Sequence, residues 1–527
     1  MNGYAVSRAS LSHEEKLSLI DDRSLSDVES ESARIDLEGR FSSIQWASTA
    51  KTYCNGLRLS SWASSILKTG IFLLPSFLHP RTARERFRPE KLHPTAYLDG
   101  MRGLAALFVF FCHYFYTAFL IAEGWGRNDA NYEIWRLPFV RLLYSGPSMV
   151  CIFFVISGYA LSLKPLKQAR SRSFDGLSQT MSSFIFRRFF RLYLPPLIST
   201  FGVLILLRFG IYERTRDFAN DRKYIHNVME HHPVLEETFR KQFWHWVREM
   251  NDFIHIWGWE KFGGATGYDV HLWTIPVEFR CSMLLFLITL GTSRLRTRVR
   301  FICIAFLMWY TIRNDRWEMV LFLWGFMLAE LDIIRGAHDP NTSQSSSTPA
   351  TLLPLEKTPP TAPQKRGSCN FLWTLISIPA LYLMSAPDAG PDGVPGWVYL
   401  GTYIPEWFSD KYRYYQMIGS IIFVFCTARS TSWQRAFNSP IVQYFGRISY
   451  ALYLMHGPVM HTIGYQVQKR AWNFTGTEGC AYNWGAVLAC MFNIPLVIWV
   501  ADVFWRAVDA PTVKFAKGLE AWVSIDE

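Results

Sequence analysis

LDGMRGLAALFVFFCHYF, residues 98–115, is an apolar run with an arginine and a histidine inside it. A helix that crosses a bilayer needs roughly 20 mostly apolar residues, and continuing to residue 122 supplies them. Arg102 and His113 are eleven residues apart. At about 100° per residue both lie on one helix face, with His113 roughly 16 Å further along the axis. Asp99 stands one turn before Arg102. Placing such groups in hydrocarbon costs on the order of 3 kcal/mol each on insertion scales. An arginine snorkelling to the headgroups, or a histidine bonded to a neighbouring helix, would account for either alone. Both on one face, with Asp99 beside them, favour a functional pair.

Nine further apolar stretches follow at 145–163, 190–211, 271–290, 299–313, 317–334, 371–386, 414–428, 441–464 and 484–506. The expected fold is an all-α polytopic membrane protein of about ten transmembrane helices, occupying 96–510. Half of the residues are apolar, 16% are aromatic and only 18% are charged, whereas soluble domains hold nearer a quarter charged. Mean hydropathy is only +0.06 because polar segments at 1–60, 212–270, 335–370 and 387–413 dilute the runs. Residues 1–95 read as a largely disordered tail without an apolar signal-peptide core. Within that tail 62–79 is apolar but holds Lys68 and Pro75, which favours an interfacial helix over a span. Residues 511–527 read as a short C-terminal tail.

Lys and Arg cluster beside the apolar runs: RTARERFRPEK at 81–91, KPLKQARSRS at 164–173, SRLRTRVR at 293–300, then Arg335 and Arg429. With alternating spans all of these fall on one face, which is therefore cytoplasmic. Both termini and loop 335–370 join that face, and loop 212–268 falls on the other. The sequon at Asn341 is then hidden and the one at Asn473 is open to an N-glycan. The net charge of +11 thus marks membrane flanks, and no nucleic-acid motif is present. Nine cysteines lie mostly inside apolar runs without any CxxC, so neither a disulfide framework nor a metal site is expected.

Several further residues carry chemistry. Glu278 lies about two turns inside HLWTIPVEFRCSMLLFL (271–287), two residues after Pro276. A carboxylate there needs a polar partner or a cavity. Arg187, Arg188 and Arg191 open the third run, with Arg188 and Arg191 neighbours on one face. Their guanidinium forks suit a phosphate, although plain cytoplasmic flanking is the stronger reading on spacing alone. His456 is followed by Gly457-Pro458, a kink signal. Ser157-Gly158-Tyr159 reads as small-residue packing.

These motifs together resemble the membrane acyltransferase-3 family. LDGMRGLA with His113 eleven residues after Arg102 resembles its opening span. FFVISGYALS (153–162), RRFFRLYLPP (187–196), WTIPVEF (273–279) and ISYALYLMHGP (448–458) are similar to its later signatures and arrive in the same order. The extracytoplasmic hydrolase domain of some bacterial members is absent. The resemblance implies a ten-helix fold, an acyl-CoA donor such as acetyl-CoA, and O-acylation of a hydroxyl-bearing acceptor. It implies that His113 is essential and that Arg188 and Arg191 meet the coenzyme.

The mechanism expected on this basis places the coenzyme phosphates on Arg188, Arg191 and Arg102 at the cytoplasmic mouth. His113 takes the acceptor proton, and Glu278 orients the imidazole or stabilises its charged form. A variant in which His113 is itself acylated stays open. Asp99, Ser157, Tyr159, Trp273 and His456 are expected to line the substrate path. The style of the motifs is similar to fungal relatives that act on secondary metabolites, in the endoplasmic reticulum or the plasma membrane. The alternative is a proton-coupled transporter using the same intramembrane Arg, His and Glu.

Overall fold

The computed structural model of the protein describes residues 69–78, 92–129, 131–258, 264–337 and 366–524. The expectations for residues 1–68, Asn341 and most of loop 335–370 lie outside the described residues. Within them the chain is helical, with two isolated β-bridges and no named strand.

Each of the ten apolar stretches falls on a helix. These are α1 (Ala96–Ala118), α2 (Gly146–Arg170), α3 (Phe174–Arg208), α5 (Thr274–Thr292), α6 (Thr297–Arg313), α7 (Trp317–Ile334), α8 (Arg366–Met384), α9 (Arg413–Thr427), α10 (Pro440–Val459) and α12 (Gly479–Phe504). Among the described residues three more helices of ten residues or longer, α4 (Phe239–Ile254), α11 (Tyr465–Thr475) and α13 (Ala510–Val523), follow in between and at the end, with shorter ones at Glu213–Ala219, Val398–Gly401 and Thr431–Phe437. One π-helical segment joins α10 to α11 and another joins α12 to α13. Four helical stretches, Gly146–Arg170, Phe174–Arg208, Val270–Thr292 and Gly479–Val523, are long and apolar enough to cross a membrane. The others do not combine that length with that hydropathy and low charge. The reason is visible in α7, whose Glu318, Glu330 and Asp332 are all buried and paired to arginines.

Glycines set the closest helix contacts. A Cβ on Gly103 would meet the Gly446 backbone nitrogen at 2.2 Å, so α1 and α10 touch backbone to backbone. Ten residues on in both helices, the rings of His113 and His456 lie 5.2 Å apart. The two helices therefore run parallel. A second parallel pair joins α2 and α7. Phe154 meets Trp317 at 5.8 Å near one end, and Arg170 reaches Glu330 at 3.8 Å near the other. Gly158 lets that pair close, since its Cβ would meet the Phe322 carbonyl oxygen at 2.2 Å. Swapping Gly158 or Gly103 for alanine would overpack the contact, at a cost of about 1–3 kcal/mol.

Two apolar cores result, one among α2, α5, α7 and α9 and another among α1, α10 and α12. Other apolar side chains point outward, among them Ile302, Phe306 and Trp309 on α6 and Met491 and Phe492 on α12. The segment after α3 is packed down, with Phe218 and Tyr224 stacked near Trp472 and Tyr482. The expected C-terminal tail is mostly the helix α13, tied to α3 by Arg187 and Glu520 at 3.2 Å. Of the expected interfacial helix, 69–78 is a short helical turn and a 3-10 turn. Arg506 donates to the carbonyls of Phe72 and Leu74 there.

Candidate active site

An open cavity with about 1110 Å³ of empty space, its mouth included, lies where α1, α2, α3, α5, α10 and α13 meet. Four arginines wall it: Arg102 from α1, Arg188 and Arg191 from α3, and Arg447 from α10. Two carboxylates, Glu278 and Asp509, stand among them. The balance of four cations against two anions suits a polyanion.

Neighbours hold the guanidiniums in place. Arg188 Nη2 pairs with Glu278 Oε1 at 2.7 Å, and its Nε donates to Ser282 Oγ at 3.1 Å. Ser157 Oγ donates to the same Glu278 oxygen at 2.9 Å. Arg102 Nε donates to Ser449 Oγ at 3.0 Å, and Asp99 lies 3.3 Å from its Nη2. Pre-set forks lose less rotamer freedom when a phosphate arrives.

Thr274 and Tyr453 also line the cavity, and Thr274 Oγ1 and Tyr453 OH share a hydrogen bond of 2.7 Å. Directly behind them is a cluster of histidines. Tyr453 OH donates to the carbonyl of His271, and the Tyr453 carbonyl accepts from His456 Nδ1 at 2.6 Å. The His113 ring centroid lies 4.1 Å from that of His271, and His271 lies 4.8 Å from His456. His113 Nδ1 and His456 Nε2 are buried without a hydrogen-bond partner. Since His456 donates from Nδ1, its Nε2 is left as an acceptor.

His271 is the centre of this cluster. Its Nδ1 is 2.8 Å from Asp269 Oδ1 and its Nε2 is 2.8 Å from Glu230 Oε1. The other Glu230 oxygen is 2.7 Å from His461 Nε2. Burial pushes the Glu230 carboxyl up, but the His271 and His461 rings more than reverse this and hold it well below the usual carboxylate range. Nearby His232, edge to face with His461 at 5.1 Å, is pushed down to about 3 by burial and by His461 and Arg216. Two sets of three ligand atoms lie within 4.8 Å, His113–His271–His456 and Glu230–His271–His461. His271 belongs to both and has each ring nitrogen on a carboxylate, so neither set offers three free donors to a metal.

The predicted residues thus divide between two places. Arg102, Arg188, Arg191, Ser157 and Glu278 meet at the cavity, with Asp99 behind Arg102. His113 and His456 meet in the cluster. Glu278 was expected beside His113; its Oε1 instead accepts from both Arg188 and Ser157 at the cavity. Tyr159 is turned away, its hydroxyl donating to Asp332 at 3.2 Å. Trp273 faces Arg413, whose guanidinium lies 5.0 Å from its ring. Arg447, Thr274, Tyr453, Asp509, His271, Asp269, Glu230 and His461 were not singled out by sequence. Asp269-Val-His271 directly precedes the WTIPVEF motif and was the signal to read, whereas nothing local marks Glu230.

The family description "Acyltransferase domain" matches residues 95–506, a range that holds both the cavity and the cluster. The chain belongs to the acyltransferase-3 family. It is therefore an acyltransferase, and its apolar helices are consistent with an integral membrane protein. It is similar to the O-acetyltransferase PaAT-1 of Phomopsis amygdali, 31% identical over 474 residues that cover 84% of this chain and 87% of that one. The acyltransferase R4 of a Phoma species is 26% identical, covering 83% of this acyltransferase and 98% of its relative. The acyltransferase clz18 of Cochliobolus lunatus is 23% identical, covering 82% and 97%. No solved structure matches the chain.

Proposed function

We propose that this acyltransferase moves an acyl group, acetyl first among them, from acyl-CoA to a hydroxyl of a small-molecule or glycan acceptor. The reaction takes place at or across a membrane, in fungal secondary metabolism. One observation carries the reading: a cavity walled by four arginines is also lined by Thr274 and Tyr453, immediately in front of the histidine cluster. The printed name of one relative, an O-acetyltransferase, supports the acetyl group and the oxygen acceptor.

Coenzyme A brings phosphates and a long thin arm. The phosphates sit on Arg102, Arg188, Arg191 and Arg447, and the arm runs past Ser157 toward Tyr453. The eleven residues from Arg102 to His113 span about 16 Å of helix, a distance the arm bridges. His113 accepts the proton of the acceptor hydroxyl as its oxygen attacks the thioester carbon. The carbon–sulfur bond breaks, the thiolate takes the proton from His113, and free coenzyme and the ester leave. Ten crossings with both termini cytoplasmic put the arginine mouth at the cytosol. The parallel pairs α1 with α10 and α2 with α7 support this, because strict alternation makes first and ninth, and second and sixth, run the same way. The outward apolar side chains of α6 and α12 support a lipid surround, in the endoplasmic reticulum or plasma membrane. Asn473 is exposed near the end of α11, on the far side from the arginines, and would carry the glycan.

The test is detergent-purified protein with radiolabelled acetyl-CoA and an extract of hydroxyl-bearing fungal metabolites. Label is expected in an ester product and lost in the His113→Ala protein. Solute flux in vesicles without any transfer of label would overturn the reading and put a carrier in its place.

A further inference from the structure

Beyond the arginine cavity and His113, a set of buried ionisable groups is gathered around His271. Its parts come from five separate places. Asp269 and His271 sit just before and within the 3-10 turn Val270–Trp273. Glu230 comes from the segment between α3 and α4, forty-one residues away in sequence. His461 comes from the π-helical segment after α10. His113 and His456 come from α1 and α10.

A neutral imidazole has one N–H and one lone pair, so it donates to one carboxylate only. His271 faces a carboxylate oxygen at 2.8 Å from each nitrogen, and its backbone N–H donates to Asp269 Oδ1 at 3.0 Å as well. That arrangement fits the imidazolium form, locked in orientation from both sides. Its ring stands edge to face with His113 at 4.1 Å and 69°. Space for it is created by Gly457, where a Cβ would meet His271 Nδ1 at 2.7 Å and Asp269 Oδ1 at 3.0 Å. The segment that supplies Glu230 is itself anchored, with Thr215 Oγ1 donating to the His461 carbonyl at 2.7 Å and Arg216 donating to the Pro233 carbonyl at 2.8 Å.

We propose that Asp269 and Glu230 clamp His271 as a fixed cation against His113, and that this clamp holds His113 neutral and oriented to take the acceptor proton. The proposal rests on the reading of His113 as the base. Asp269, Glu230 and His271 are positioning residues: they reach the reaction through His113. A ring that must accept a proton has to begin without it, and a cation beside it favours that state. The loop between α3 and α5 then belongs to the working parts of the enzyme, because it delivers one jaw of the clamp.

The experiment is steady-state kinetics of acetyl transfer with Glu230→Gln and Asp269→Asn beside the unaltered protein. Each substitution keeps the shape and removes one charge. Glu230→Gln is expected to lower kcat by about 10- to 1000-fold, less than the roughly 10⁴-fold loss when an aspartate bonded directly to a catalytic histidine is neutralised, because Glu230 reaches His113 through His271. Its KM for acetyl-CoA should stay within about twofold, since neither Glu230, Asp269 nor His271 lines the arginine cavity. Asp269→Asn should move kcat in the same direction. A kcat equal to that of the unaltered protein in both variants would overturn the clamp and leave the acyl-transfer reading standing. A KM for acetyl-CoA that rises in step with the fall in kcat would also overturn it, by showing a general loss of packing. No transfer of label by the unaltered protein would sink the acyl-transfer reading itself and the clamp with it.

Discussion

The arginine cavity and the histidine cluster share two helices, α1 and α10, yet they are built in opposite ways. Arg102 and Arg447 stand near the start of those helices, and His113 and His456 about ten residues further along. The arginines are positioned by residues of the bundle, with Ser449, Glu278, Ser282 and Ser157 all on helices. The cavity around them is open. His271, His456 and His461 are buried and His113 partly so, and the ionic partners Glu230 and Asp269 come from outside the long helices. A site that binds a soluble polyanion has to remain wet and accessible. A site that moves a proton benefits from exclusion of water and from charges that cannot turn. One helix pair serves both because its glycine contacts keep it parallel over that length.

Substitutions at either end should separate the two roles. The largest effect is expected at the cluster: His113→Ala should reduce kcat by about 1000-fold or more while expression and coenzyme binding persist. Rapid-quench or end-point transfer of label measures it, and a His113→Ala protein that still turns over would remove His113 from the mechanism. Next comes the cavity. Arg188→Ala with Arg191→Ala should raise the KM for acetyl-CoA by about 10- to 100-fold, with a smaller change in kcat. Some of that will be stability, because Glu278 loses the Arg188 partner it holds at 2.7 Å. An unchanged KM would move the coenzyme elsewhere.

Gly457→Ala tests the border between the regions. Its methyl group would press on His271 and Asp269, and kcat should fall by about 10-fold or more with the KM for acetyl-CoA nearly unchanged. The smallest effect concerns pH. His232 has its folded value near 3 against an ordinary value of 6.5, so the unfolded chain binds the extra proton first. Stability should therefore fall as pH drops from about 6.5 toward 3. Glu230 adds a loss at still lower pH, since its depressed carboxyl stabilises the fold only while ionised. Thermal unfolding in detergent reads both, and His232→Gln should flatten the first limb. A slope that persists in His232→Gln would assign it to other groups.

Much of this was legible in one dimension. Helical periodicity put Arg102 and His113 on one face, and composition and motif order pointed to a helical acyltransferase. The apolar runs marked α1, α2, α3, α5 to α10 and α12 because each must bury its own backbone polar groups within itself, a local requirement that local sequence satisfies. Arg188 and Arg191 were tied to the coenzyme by the family resemblance, since spacing alone read them as cytoplasmic flanks and Ser157 as small-residue packing. Tertiary structure alone assigned the partners. Glu278 was expected at His113 and pairs with Arg188. Tyr159 and Trp273 point elsewhere, and the expected C-terminal tail is a helix that walls the cavity with Ala510 and Val513. Glu230 meets His271 across forty-one residues and His461 across 231. No periodicity links such positions. Their meeting is decided by how the helices pack and where the connecting loop is folded down, and the burial of a charge becomes affordable only once that packing supplies its counter-ion.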